Sequence, residues 1–214
     1  MKKLTSIILI LFLSLLSSPS WSETLTMGDL VKRNDLYYKK FTNIPFTGEI
    51  SGMESGKIKH GKKIGEWLYY YENGQLRHKS NWKDGEPDGL WEWYNENGQL
   101  RHKANYKDGK KDGLWELYYE NGQLDWRANY KDGIYDGLHE SYYENGQLEL
   151  KENYKDGKLD GLYESYWSNG QLYEKGNYKD RELDGLWEVF NMDGSLIKTL
   201  TYKNGKRINC KGDC

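Results

Sequence analysis

The sequence predicts an all-β protein, an elongated single-layer antiparallel meander of stacked β-hairpin repeats with a 24-residue period. Three observations carry that prediction. Gly65, Gly89, Gly113, Gly137, Gly161 and Gly185 fall in one column of the self-aligned chain, and Asn-Gly or Asp-Gly pairs ending at Gly74, Gly98, Gly122, Gly146, Gly170 and Gly194 fall in a second. Similarity at a fixed period of this length is the signature of a repeat architecture. Each unit also holds two turn signals, Glu-Asn-Gly-Gln and Lys-Asp-Gly, about 11 residues apart. Such pairs tolerate the positive φ angles of a type I′ turn, so each repeat is one hairpin joined to the next by another. Finally, 19 Tyr and 9 Trp stand where an ordinary core has Leu, Ile and Val, and only 36% of residues are hydrophobic. A thick globular core is excluded on that balance.

The elements follow in order. Residues 1–22 fit an export signal: Lys2 and Lys3, an apolar run from Leu4 to Leu16, and Ser20-Trp21-Ser22 as a small-x-small cleavage site. That run is shorter than the roughly 20 residues a membrane span needs, so it is read as a cleaved signal peptide, with an uncleaved anchor as the alternative. Residues 23–47 form an N-terminal cap, in which Asp29–Lys32 and Leu36–Lys39 flank Arg33-Asn34-Asp35 as a hairpin. Terminal repeats are atypical because they must close a sheet edge. The repeat array spans 48–208, opening with a shortened unit at Phe46–Glu49 and Glu54–Lys57, and residues 209–214 form a cysteine tail. Cys210 and Cys214 are read as a local disulfide, since an exported protein meets oxidising conditions and two thiols supply at most half a zinc site.

A two-residue loop at Asn97-Gly98 sets Glu92 opposite Lys103, Trp91 opposite Ala104 and Trp93 opposite His102. The column Glu92, Glu116, Glu140, Glu164, Glu188 then meets Lys103, Arg127, Lys151, Lys175 and Thr199 in a charge ladder. The opposite face takes the Trp column (Trp67, Trp91, Trp115, Trp187, with His139 and Tyr163 substituting), the Leu column from Leu76 to Leu196, and the Tyr column from Tyr106 to Tyr202. A second aromatic column, Tyr70, Tyr94, Tyr118, Tyr142, Tyr166 and Phe190, falls on the charged face by parity, unless a bulge or a three-residue loop at Glu-Asn-Gly shifts the register.

Repetition argues against catalysis, because a group present in every copy serves the fold. The Glu column has the spacing of about 9.5 Å expected two strands apart, but each Glu faces a base. At that separation His78 and His102 are too far apart to share a zinc, and are read as exposed strand residues. The Asp column from Asp88 to Asp184 lacks the nine-residue spacing of calcium-binding β-rolls and suits strand connections. No cofactor or metal is expected, and the protein is not expected to be an enzyme.

With Gly-x-Trp-x-x-Tyr-Tyr-x-Asn-Gly-Gln-Leu and Asn-Tyr-Lys-Asp-Gly in hand, the array from Gly65 to Gly205 resembles the MORN-repeat variant family. Among bacterial proteins the arrangement resembles those grouped as YwqK-type antitoxins. The resemblance implies a sheet of stacked hairpins that mediates protein contacts, and some eukaryotic members contact phospholipid.

What remains for function is surface. Rows of Trp and Tyr stack on sugars, accept cations or anchor protein partners. Departures from the consensus are the better candidates, and Trp126, Tyr135, Trp167 and Tyr173 are the residues named as a binding patch. The expected role is an exported, periplasmic or secreted, non-enzymatic module that binds another protein, in its narrower form an antitoxin-like one. The alternative is a binder of envelope glycan. Peripheral membrane contact ranks third, since removing Lys2 and Lys3 leaves 29 basic and 33 acidic residues, a charge of -4. Interleaved charges exclude nucleic acid as a partner.

Overall fold

The computed structural model describes residues 25–214, so the export signal lies outside the described residues. The cap comprises a 3-10 turn at Met27–Asp29 and a hairpin of β1 (Leu30–Arg33) and β2 (Leu36–Lys39). Asn34 and Asp35, with φ of 48° and 61°, make its turn, where the sequence places it. A shortened hairpin follows, β3 (Gly48–Ile50) and β4 (Glu54–Lys59). The regular units contribute β5 (Lys62–Tyr70), β6 (Leu76–Lys83), β7 (Glu86–Pro87), β8 (Gly89–Tyr94), β9 (Leu100–Lys107), β10 (Lys110–Tyr118), β11 (Leu124–Lys131) and β12 (Ile134–Tyr142). They continue through β13 (Leu148–Lys155), β14 (Lys158–Tyr166), β15 (Leu172–Lys179), β16 (Glu182–Leu183), β17 (Gly185–Phe190), β18 (Leu196–Lys203) and β19 (Lys206–Gly212). Units one to six are counted here from Gly65, Gly89, Gly113, Gly137, Gly161 and Gly185.

Every registered pairing from β3 to β19 is antiparallel and joins neighbours in the chain, except that β8 and β17 continue the lines of the two-residue strands β7 and β16 and so also pair with β6 and β15. No register among the described residues pairs β19 with β3, so the sheet is an open, elongated meander rather than a closed cylinder. At the usual strand spacing it is on the order of 70 Å long. Among the described residues no helix is long and apolar enough to cross a membrane.

The two turns of a unit are built differently. In the Lys-Asp-Gly turns both central residues are left-handed, as at Asp108 (φ 45°) and Gly109 (φ 79°), which is the expected type I′ hairpin. The Asn-Gly turns depart from the predicted two-residue loop. Gly98 N–H donates to Asn95 O, and Asn95 N–H donates to Gln99 O, leaving a three-residue loop of Glu96, Asn97 and Gly98. Alone, that loop would shift the register by one residue and turn side chains to the wrong face. It does not, because β9 carries one extra residue, Arg101, between His102 opposite Trp93 and Leu100 opposite Tyr94. The loop and the bulge cancel, so Glu92 faces Lys103 as predicted.

The same bulge corrects the placement of the leucines. Leu76, Leu100, Leu124, Leu148, Leu172 and Leu196 register against Tyr70, Tyr94, Tyr118, Tyr142, Tyr166 and Phe190, which puts them on the charged face and not beside the tryptophans. The second aromatic column does lie on the charged face, where Tyr94, Tyr142 and Tyr166 hydroxyls donate to Glu92, Glu140 and Glu164 at 3.0 to 3.1 Å.

The remaining consensus residues are absorbed by the fold. Asn81, Asn105, Asn129 and Asn153 amides donate to the backbone oxygens of Leu90, Leu114, Leu138 and Leu162 and so bridge the irregularity at Gly89, Gly113, Gly137 and Gly161. Asp88, Asp112 and Asp160 carboxylates accept the N–H of Asp108, Asp132 and Asp180, tying one Lys-Asp-Gly turn to the next. Closed apolar clusters occur at both ends. Leu25, Leu30, Ile50, Ile58, Trp67 and Tyr69 pack under the cap, and Trp187, Val189 and Leu200 pack near the last strand. Cys210, placed in the tail by the sequence, is a residue of β19 and pairs with Cys214 in a disulfide, their Cα atoms 6.1 Å apart.

Candidate binding surface on the tryptophan face

Strand alternation gives the sheet two faces of different chemistry. On the charged face each base lies between two acids: Lys103 registers against Glu92 and Glu116, Arg127 against Glu116 and Glu140, and Lys151 against Glu140 and Glu164. Where ion pairs close in this ladder they reach the following unit, from Lys103 to Glu116 (3.6 Å), Arg127 to Glu140 and Lys175 to Glu188 (2.9 Å). The ladder therefore stitches repeats together more than it closes single hairpins.

On the other face large rings alternate with small residues. Trp67 lies opposite Ser80, Trp91 opposite Ala104 and Trp115 opposite Ala128, and Ser80, Ala104 and Ala128 are fully covered. A β-carbon on Gly176 would run into the Trp187 ring. Between the tryptophans runs a stacked series, Tyr69–His78 at 4.8 Å, His78–Trp93 at 4.7 Å and Trp93–His102 at 4.4 Å between centroids. His78 and His102 are thus half-buried ring spacers, correcting the reading of them as exposed. Burial is the leading cause that lowers each to a pKa of about 4, with nearby cations adding to it. The face also accepts ammonium groups from its own chain: Lys63 Nζ lies 3.9 Å from the Trp67 ring centre and Lys111 Nζ 3.5 Å from that of Trp115.

Units four and five break the pattern. His139 takes the tryptophan position, and Glu152 takes the small position between His139 and Tyr163. Glu152 is only 8% exposed. Its carboxylate lies 3.0 Å from His139 Nδ1 and accepts the Tyr154 hydroxyl at 3.1 Å. Burial, then the Glu152 charge, raises Tyr154 to about 12, so the phenol remains a donor at neutral pH. Two strands further on, Glu174 accepts from Tyr163 (3.3 Å) and from Trp187 Nε1 (3.2 Å). Two carboxylates thus stand among Tyr and Trp rings on a face that elsewhere carries none at these positions. Sequence reasoning noted His139 as a substitution and missed Glu152. Its column, Ser80, Ala104, Ala128, Glu152, Gly176 and Leu200, would have revealed it.

The four candidate residues divide into two pairs. Trp126 and Tyr135 both come within 6.0 Å of His139, and Tyr135 also packs on Tyr130 and Tyr154. Trp167 and Tyr173 pack on each other at 4.4 Å, at the hairpin-loop end of unit five. Trp167 has a structural explanation as well, since its Nε1 donates to Phe190 O as Tyr71, Tyr119 and Tyr143 hydroxyls donate to the equivalent oxygens. Among the described residues no group of three or more His, Cys, Asp or Glu side chains is placed to hold a metal ion.

The model of the MORN repeat variant matches residues 63–84, 87–108, 111–132, 135–156, 159–180 and 183–204. The chain belongs to the MORN repeat variant family. Repeats of this family are in general protein- or membrane-binding modules. No curated protein matches the chain. Solved structures that it matches include the GtfA/B complex bound to UDP and GlcNAc, at 16% identity and a TM-score of 0.19, over 71% of this chain and 27% of that one. Another is accessory secretory protein 1, 2 and 3 in Streptococcus pneumoniae, at 17% identity and a TM-score of 0.20, over 60% of this chain and 21% of that one. The chain spans about a quarter of the length of those solved chains.

Proposed function

We propose that this MORN-repeat chain is an exported, non-enzymatic scaffold that binds another protein through the tryptophan face of units four and five. The observation that carries the reading is the His139–Glu152 exchange. A buried carboxylate is costly unless it is hydrogen-bonded, and the neighbouring units show that Trp over Ala fills the same place without one. A feature that adds cost to the fold while bringing charge to an aromatic surface is better explained by recognition. Glu152 and Glu174, flanked by Trp126, Tyr135 and Tyr163, favour a partner that presents basic side chains, because rings and carboxylates together attract ammonium and guanidinium groups. In its sharper form the role is antitoxin-like, with an exported toxin as the partner.

The test compares wild type with the double variant His139→Trp/Glu152→Ala, which restores the pattern of Trp115 and Ala128. Affinity capture from the envelope fraction is run beside capture on cell-wall polysaccharide. The reading expects a protein retained by wild type and lost by the variant. Retention on protease-treated wall, with no protein captured, would replace it by the glycan reading.

A further inference from the structure

One column at the hairpin-loop end of the units is filled unevenly. Its members are Tyr71, Asn95, Tyr119, Tyr143, Trp167 and Asn191. Each aromatic member crosses to the next unit and donates to the backbone oxygen 23 residues later: Tyr71 to Tyr94 O at 2.7 Å, Tyr119 to Tyr142 O at 2.6 Å, Tyr143 to Tyr166 O at 2.7 Å and Trp167 to Phe190 O at 3.4 Å. Asn191 belongs to the last of the six repeats, and its side-chain amide donates within its own loop to Ser195 Oγ at 3.0 Å. Asn95 is therefore the interior exception. Where its ring would lie, a cleft of 720 Å³ opens, lined by Asn95, Arg101, Leu117, Tyr118 and Tyr119 among others.

We propose that this cleft docks the side chain of a tyrosine or tryptophan carried on an extended segment of a partner protein. Four other units show what the site accepts, namely an aromatic ring with a donor directed at a backbone oxygen, which here is that of Tyr118. In unit five the bulge residue lies beside the ring. Tyr173, at the equivalent of Arg101, packs on Trp167 at 4.4 Å. The exposed Arg101 can stack on an incoming ring in the same way, gaining a cation–π contact. The cleft is larger than a single ring, so a peptide backbone can accompany the side chain. The partner as occupant rests on the protein-binding reading above, whereas the cleft itself can be tested without any partner.

p-Cresol, which has a ring and a donor, is titrated into the full-length mature chain while backbone amide resonances are followed by NMR. The expected result is a saturable shift centred on Arg101, Tyr118 and Tyr119, at least tenfold weaker for toluene and abolished in Asn95→Tyr. Arg101→Ala, which leaves the sheet bonds in place, is expected to weaken cresol several-fold and guards against a folding defect in Asn95→Tyr. Shifts that centre elsewhere, or that persist in Asn95→Tyr, overturn the cleft as a ring site. Loss of cresol binding with capture of the partner unchanged overturns its docking role and leaves the Glu152 surface standing.

Discussion

Residues that depart from their column carry the most information in a repeat sheet, because the other copies serve as internal controls. Trp115 over Ala128 shows that the place of the His139–Glu152 pair can be filled without a carboxylate, so the double variant His139→Trp/Glu152→Ala is expected to leave stability within about 1 kcal/mol of wild type, whereas Glu152→Ala alone orphans the His139 and Tyr154 donors and costs about 1 to 3 kcal/mol. Chemical denaturation checks this, and a loss beyond about 3 kcal/mol in the double variant would make the pair structural. His78 and His102 predict a pH dependence. Their folded pKa, about 4, lies below the unfolded value of 6.5. The unfolded chain therefore binds more protons between those limits, and stability complete above pH 6.5 is lost as pH falls toward 4. Melting temperatures measured from pH 7 to pH 4 are expected to fall, and the slope is expected to flatten in His78→Phe/His102→Phe. Comparing the two slopes separates the histidines from carboxylates that titrate near the lower limit.

At the scale of the hairpin, the decisive features are paired irregularities. Gly113 has φ of 96°, and a β-carbon there would lie 3.4 Å from that of Asn105, whose amide holds Leu114 O at 2.9 Å. Gly113→Ala is thus opposed by backbone conformation more than by space, and is expected to cost about 1 to 2 kcal/mol, measured by urea unfolding. Much of this level was legible in advance: the turn positions, though not the three-residue length of the Asn-Gly loops, the Glu92–Lys103 register and the shortened first hairpin all follow from Gly spacing and side-chain pairing. The side of the sheet taken by the leucines was not. It depends on Arg101 being an extra residue in β9, and a bulge changes neither composition nor period. The burial of His78 was equally hidden, because its neighbours Tyr69 and Trp93 are set by cross-strand register and not by sequence distance.

For the whole molecule, each unit packs on its neighbours alone, and closed apolar clusters occur where the cap and the last strand cover the sheet ends. Stability is then close to a sum of unit and interface terms. Deleting 24 residues, Gly113 to Asp136, is expected to give a folded protein shorter by two strand spacings, or about 10 Å, observable by small-angle scattering with the β circular dichroism retained. A chain that unfolded on losing this unit would contradict nearest-neighbour packing. By itself the sequence determined the meander, the two turn positions and the charge ladder, because a fixed period forces every copy into one local geometry and adjacent strands into one register. Only the tertiary structure decided where the copies differ in consequence. Glu152 meets His139 across one strand pair, and the ring that Asn95 lacks opens a cleft toward the following unit. Both depend on contacts between strands whose residues are 13 to 23 positions apart, so they emerge only when the hairpins are laid side by side.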